Sequence, residues 1–360
     1  MSVGQDHAER SSLGTRISAA RRLGALADLR LSAAIDDLFR SDAGALDERL
    51  RLTLRTTIAG IVTGIETDLR RHAARVLAGR GADALAERVL QGRTDVVLRL
   101  SRAGLIRDRL LMDELIAQVR CDLLAEGLPP AVAGSRQASV LVRLAEVDDP
   151  VVAAAARALL AADAGRRTAS EAGGISPGRL SAERHHQLIW WVAAAIRGDD
   201  DVEIDHAIVL AAQRSLAAHD EGQRPEALAV RLAAAIDARP DEVGDLLIES
   251  LGDRRLVLFV AVLGRAIGLD FDATLGIVLE PEGDRLWLAL RAAGLDRPSI
   301  ARIALALADA DPRRDIETFA DDLDDIATVP DDAARSALAP LALHRDLRLA
   351  IDALAREAAR

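Results

Sequence analysis

The chain has 360 residues, half of them apolar, and sets 57 Asp and Glu against 46 Arg for a formal net charge of −11. It holds no Lys, Asn or Tyr and a single Cys, so Schiff-base chemistry, a phosphate-loop lysine and a tyrosine proton donor are excluded. Such a length and apolar share suit one large core or two ordinary ones, and the acidic balance opposes non-specific attraction to nucleic acid or anionic lipid.

The apolar residues are mostly Ala, Leu, Val and Ile, a mixture that favours helices over strands. An all-α fold is therefore expected. Residues 1–14 ("MSVGQDHAERSSLG") lack the apolar core of a signal sequence and are expected to be disordered. From there an N-terminal helical portion is expected over 15–163. It includes "LDERLRLTLRTTIAGIVTGIETDLRRHAARVLAG" (46–79), a long helix or close helical pair in which Gly60 and Gly64 are the weak points. His72 stands in this segment among acids and arginines. An exposed imidazole on an amphipathic helix is what a phosphoryl acceptor needs, so His72 is the candidate residue for phosphotransfer.

Breaks are expected at 126–137, 164–178, 238–242, 280–284 and 310–315, where Pro and Gly cluster. The Gly- and Ser-rich stretch 164–178 is the longest and serves as the expected linker loop, followed by a C-terminal helical repeat portion over 179–360. Asp149 before Pro150 reads as a cap with proline in the first turn, and Pro225 starts another helix in the same manner. Cys121, inside a helical pattern, reads as a small buried hydrophobe in a reducing compartment. The longest uncharged apolar runs fall well short of the roughly 20 residues that span a bilayer, so a cytoplasmic protein with no membrane partner is expected.

One pattern recurs along the chain. Two β-branched residues precede an Arg and then an Asp at Val96-Val97, Arg102 and Asp108, again at Val151-Val152, Arg157 and Asp163, and again at Ile208-Val209, Arg214 and Asp220. A looser copy holds Phe259-Val260 and Arg265, with Asp270 one place early. The interval of about 50 to 57 residues lies near or somewhat above the periods of helical repeats. Antiparallel helix pairs stacked as an α-solenoid bury one another's apolar faces, and the Arg and Asp of successive units are expected to pair as a ladder.

"HHQLIWW" (185–191) concentrates two of the seven histidines and two of the three tryptophans. On a helix Leu188, Trp191 and Val192 face the core, while Trp190 stands one turn above His186 at the border of the apolar stripe. His186 and Trp190, with Trp287 on the similar "DRLWLALRAAG" helix, are the expected contacts for a protein partner. His185, His186, Glu203, Asp205 and His206 match no metal signature, and no metal or cofactor is expected. The chain shows no nucleophile elbow, Walker loop or dinucleotide fingerprint. No catalytic residue is assigned, and "DDLDDIATVPDD" (321–332) reads as a solvated helix face and loop.

The segments "LRLTLRTTIAGIVTGIETDLRRHAARVLAGRG" (50–81), "HHQLIWWVAAAIR" (185–197) and "LVLFVAVLGRAIGLDFDATLGIVLEPEGDRLWLALRAAGLDRPSIARIAL" (256–305) resemble a bacterial all-helical family catalogued as Domain of Unknown Function number 2336. The resemblance implies a HEAT-like helical repeat protein of the bacterial cytoplasm and supplies no catalytic residues. Together with the residue patterns it leads to the expectation of a non-enzymatic scaffold for protein–protein interaction. Histidine phosphotransfer at His72 is the alternative, and a nucleic-acid-binding solenoid is disfavoured by the charge.

Overall fold

The computed structural model describes residues 30–31, 33–35, 37–38, 47–92, 94–129, 138–171, 177–197, 201–344, 346–348, 350–351 and 354. The expected disorder of 1–14 lies outside them. All regular structure among the described residues is helical, as the composition dictates. No described helix is long and apolar enough to cross a membrane. Contacts divide the chain into two units that interleave along the sequence: residues 31–119 with 160–227, and residues 1–30 with 120–159 and 228–360.

The first of these units is built on α1 (Glu48–Ala78), α2 (Asp83–Leu90), α3 (Val96–Arg102), α7 (Ala182–Ile196) and α8 (Val202–Ala218). Three further helices, α4 (Arg109–Gly127), α6 (Pro150–Glu171) and α9 (Pro225–Ile236), contain the points at which the contact division changes unit. α1 is one uninterrupted helix of 31 residues. Asp47 caps it by accepting from the Arg49 amide at 3.2 Å, and Leu50, Leu54, Ile58, Ile61, Ile65, Leu69 and Leu77 form its buried stripe. That stripe packs against α8, α2 and α7.

The second unit takes α5 (Val140–Ala145) and the helices from α10 (Pro240–Gly252) to α16 (Asp331–Leu338). Between them come α11 (Leu256–Ile267), α12 (Phe271–Val278), α13 (Asp284–Ala292), α14 (Arg297–Ala310) and α15 (Ile316–Thr328). Its centre is α11, whose "LVLFVAVLG" is apolar all round because neighbours cover it on several sides; Phe259, Val260 and Leu263 have no exposed surface. Gly268, at φ 72°, ends α11 in the left-handed conformation that glycine adopts without strain. The C-terminal carbonyls of α12 receive buried guanidiniums: Arg120 donates to the Leu279 carbonyl at 3.0 Å, and Arg314 donates to that of Val278. Burial pulls both arginines down to about 10, so they stay charged at neutral pH and suit a helix C-terminus.

The breaks expected at 238–242, 280–284 and 310–315 separate helices in the structure, and Pro150 and Pro225 begin α6 and α9. Two expectations need correction. α6 runs through to Glu171, so the first half of the expected 164–178 linker is helical; "AGRRTASE" contains one Gly and no Pro, too little to stop a helix already formed. Residues 172–176 lie outside the described residues. The contact division also differs from the expected portions 15–163 and 179–360, because helices from both halves of the chain share each unit.

Candidate functional site

The residues most available for chemistry sit where α1, α2 and α8 meet. α1 presents Asp68, Arg71, His72 and Arg75, spaced so that all four fall on one face. α8 presents Ala211, Arg214, Ser215 and Ala218 with the same spacing, and α2 closes one side with Ala86 and Leu90. Alanines at 74, 78, 211 and 218 leave space that larger side chains would fill. The result is an open groove of about 750 Å³ with an alanine floor.

Its electrostatics are unlike those of the chain as a whole. Among the described residues the side chains of Arg71 and Arg214 make no ion pair or hydrogen bond, and the side chain of Arg75 donates only to the Arg71 carbonyl, at 3.3 Å. Three guanidiniums thus face one carboxylate, Asp68, in a molecule of net charge −11. His72 lies among them, half-buried, with Nδ1 enclosed and lacking a partner, which leaves Nε2 as the nitrogen facing the groove. Burial, followed by the charges of Arg214 and Arg75, holds its imidazole below the ordinary value, so the ring is neutral at neutral pH.

The other expected contacts are arranged differently. Trp190 is half-exposed and His186 exposed; the indole Nε1 donates to His186 Nε2 at 3.2 Å, with the rings edge-on at 69°. The buried face of α7 is His185, Leu188, Ile189, Val192 and Ile196, which leaves Trp191 half-exposed at its edge rather than pointing into the core. His185 stacks on His219 with ring centroids 4.0 Å apart. Trp287 packs on Phe319 at 4.3 Å beside a second cavity of about 300 Å³.

Among the described residues no bond of the expected Arg–Asp ladder joins Arg102, Arg157 or Arg214 to Asp108, Asp163 or Asp220. Arg102 is exposed and unpaired, Arg157 donates to the Ala145 carbonyl at 2.7 Å, and Arg214 lines the groove. Asp108 accepts from the Leu111 amide and Asp220 from that of Gly222, both at 2.9 Å, while Asp163 is buried. Asp108 and Asp220 serve as helix caps because a short carboxylate one residue before a helix meets free amides nearby, Asp163 lies inside α6, and the arginines sit on exposed faces.

Of the residues considered for metal, Asp205 pairs with Arg197 at 2.8 Å, and Glu203 and His206 are exposed on α8. Sequence reasoning missed Arg71, Arg75 and Ser215. The signal available was the lack of any Asp or Glu three or four places from Arg75 or Arg214. Comparison with models of known protein families, with curated proteins and with solved structures finds no match to this chain.

Proposed function

We propose that the protein is a non-enzymatic, HEAT-like helical-repeat scaffold of the bacterial cytoplasm, related to the family of unknown function named above, and that it docks an acidic amphipathic helix of a partner protein. The α1–α2–α8 groove is the docking site. The observation that carries this reading is the set of guanidiniums on Arg71, Arg75 and Arg214, unmatched by carboxylates over an alanine floor. Glutamates on one face of a partner helix would meet the arginines while its small apolar residues cover the alanines. Trp190 with His186, and Trp287, form secondary contact surfaces in this account.

Fluorescence anisotropy with a labelled helical peptide, glutamate on one face and leucine on the other, tests it. The account expects saturable binding that weakens at least about tenfold in the Arg75→Glu, Arg214→Glu double variant and falls with added salt. Absence of binding, or equal binding by the double variant, would contradict it. A phosphotransfer role is the second reading, favoured by the neutral imidazole of His72 with its free nitrogen turned to the groove.

A further inference from the structure

The groove holds a nucleophile as well as a cationic rim. Nδ1 of His72 is enclosed, Nε2 is the open nitrogen, and Arg71, Arg75 and Arg214 line the same space without carboxylate partners. We infer that His72 is a modification site, at which Nε2 accepts a phosphoryl group from an acyl phosphate and the arginines of the groove hold the phosphoryl oxygens. The inference goes beyond docking, since it needs no partner helix in the groove.

The step balances with these atoms alone. In the tautomer with the proton on Nδ1, the Nε2 lone pair attacks phosphorus and a P–N bond forms as the P–O bond to the acyl group breaks. The donor leaves as a carboxylate with the bonding pair. Nδ1 keeps its proton, so the ring becomes an imidazolium covalently joined to a dianionic phosphoryl group. Guanidiniums suit that group because each offers paired N–H donors to its oxygens. Two independent features support the site: the enclosure of Nδ1, which leaves Nε2 as the accessible ring nitrogen, and the cations gathered from two helices far apart in sequence. A consequence follows for docking. A phosphoryl dianion on His72 offsets the rim charge, so phosphorylation expels an acidic occupant.

The test is to treat the whole protein with acetyl phosphate and map the product under neutral conditions by mass spectrometry, with ³¹P NMR to identify the phosphorylated nitrogen. The chain has no lysine to divert the acetyl group. Acid-labile phosphate on His72 Nε2 is expected, at least about tenfold faster than on the exposed His186, His206 or His344, and slowed about tenfold by Arg214→Ala. His72→Gln removes it. Equal labelling of the exposed histidines, no label on His72, or a rate indifferent to Arg214→Ala in a protein with an unchanged melting midpoint would overturn the inference. The docking measurement uses unphosphorylated protein, so either result can fail while the other stands.

Discussion

At the scale of single residues, exposure and partners separate side chains that look alike in the sequence. Arg70 is buried, donating to Glu66 at 2.9 Å and to the Val89 carbonyl at 2.8 Å, whereas Arg157 is exposed and reaches one carbonyl. Arg70→Ala is expected to lower the unfolding free energy by about 2 to 3 kcal/mol, because a carbonyl and a carboxylate lose their donor in a poorly solvated place. Arg157→Ala is expected to change it by less than about 0.5 kcal/mol. Urea unfolding of both variants checks the contrast, and equal losses would contradict it. His72 provides a titration test. Since burial and then Arg214 and Arg75 disfavour its protonated form, NMR should place its midpoint below 6.5, and Arg214→Ala should raise it. The sign also fixes the stability trend: below pH 6.5 the unfolded chain takes up this proton more readily than the folded one, so the contribution of His72 to stability declines as pH falls. His72 was legible in the sequence as an imidazole on an amphipathic helix, but its half-buried placement was not. Its cationic setting was not, because Arg214 stands 142 residues away and enters only through the packing of α8 on α1.

At the scale of elements, periodicity predicts most of what forms, and misses where local breakers meet strong burial. α1 passes through Gly60 and Gly64 without a break. Each glycine costs a helix about 1 kcal/mol, but Ile58, Ile61, Val62 and Ile65 bury their side chains around them, and each such burial is worth about 1.5 to 3 kcal/mol. Gly127, at the end of α4, has a role that no pattern reveals: a Cβ there would lie 2.6 Å from the carbonyl oxygen of Ala310 at the end of α14. Gly127→Ala should therefore destabilise the protein by about 1 to 3 kcal/mol, since backbone must move to admit the methyl group. A melting midpoint equal to that of the parent chain would show that the two helix ends have room to part.

At the scale of the whole molecule, the all-helical class follows from composition, but the assignment of helices to units does not. Each unit gathers segments distant in sequence, and a single sequence has no local signal for such pairing. Charge obeys the same logic. The chain totals −11, which opposes non-specific attraction to nucleic acid or anionic lipid, yet folding brings Arg71, Arg75 and Arg214 to one groove whose only acid among the described residues is Asp68. A net charge describes solubility and long-range steering; a docking site depends on which charges the fold leaves unmatched. The central claim is that this groove receives an acidic segment of another protein. The most direct measurement places a photo-cross-linking amino acid at Ser215, on the groove wall, in the protein's own cell and sequences the adduct. The account predicts one adduct, joined through a glutamate- or aspartate-rich helical segment, that disappears when Arg75 and Arg214 are both changed to Glu. Adducts through neutral or basic segments, or an adduct that survives both charge reversals, would contradict it.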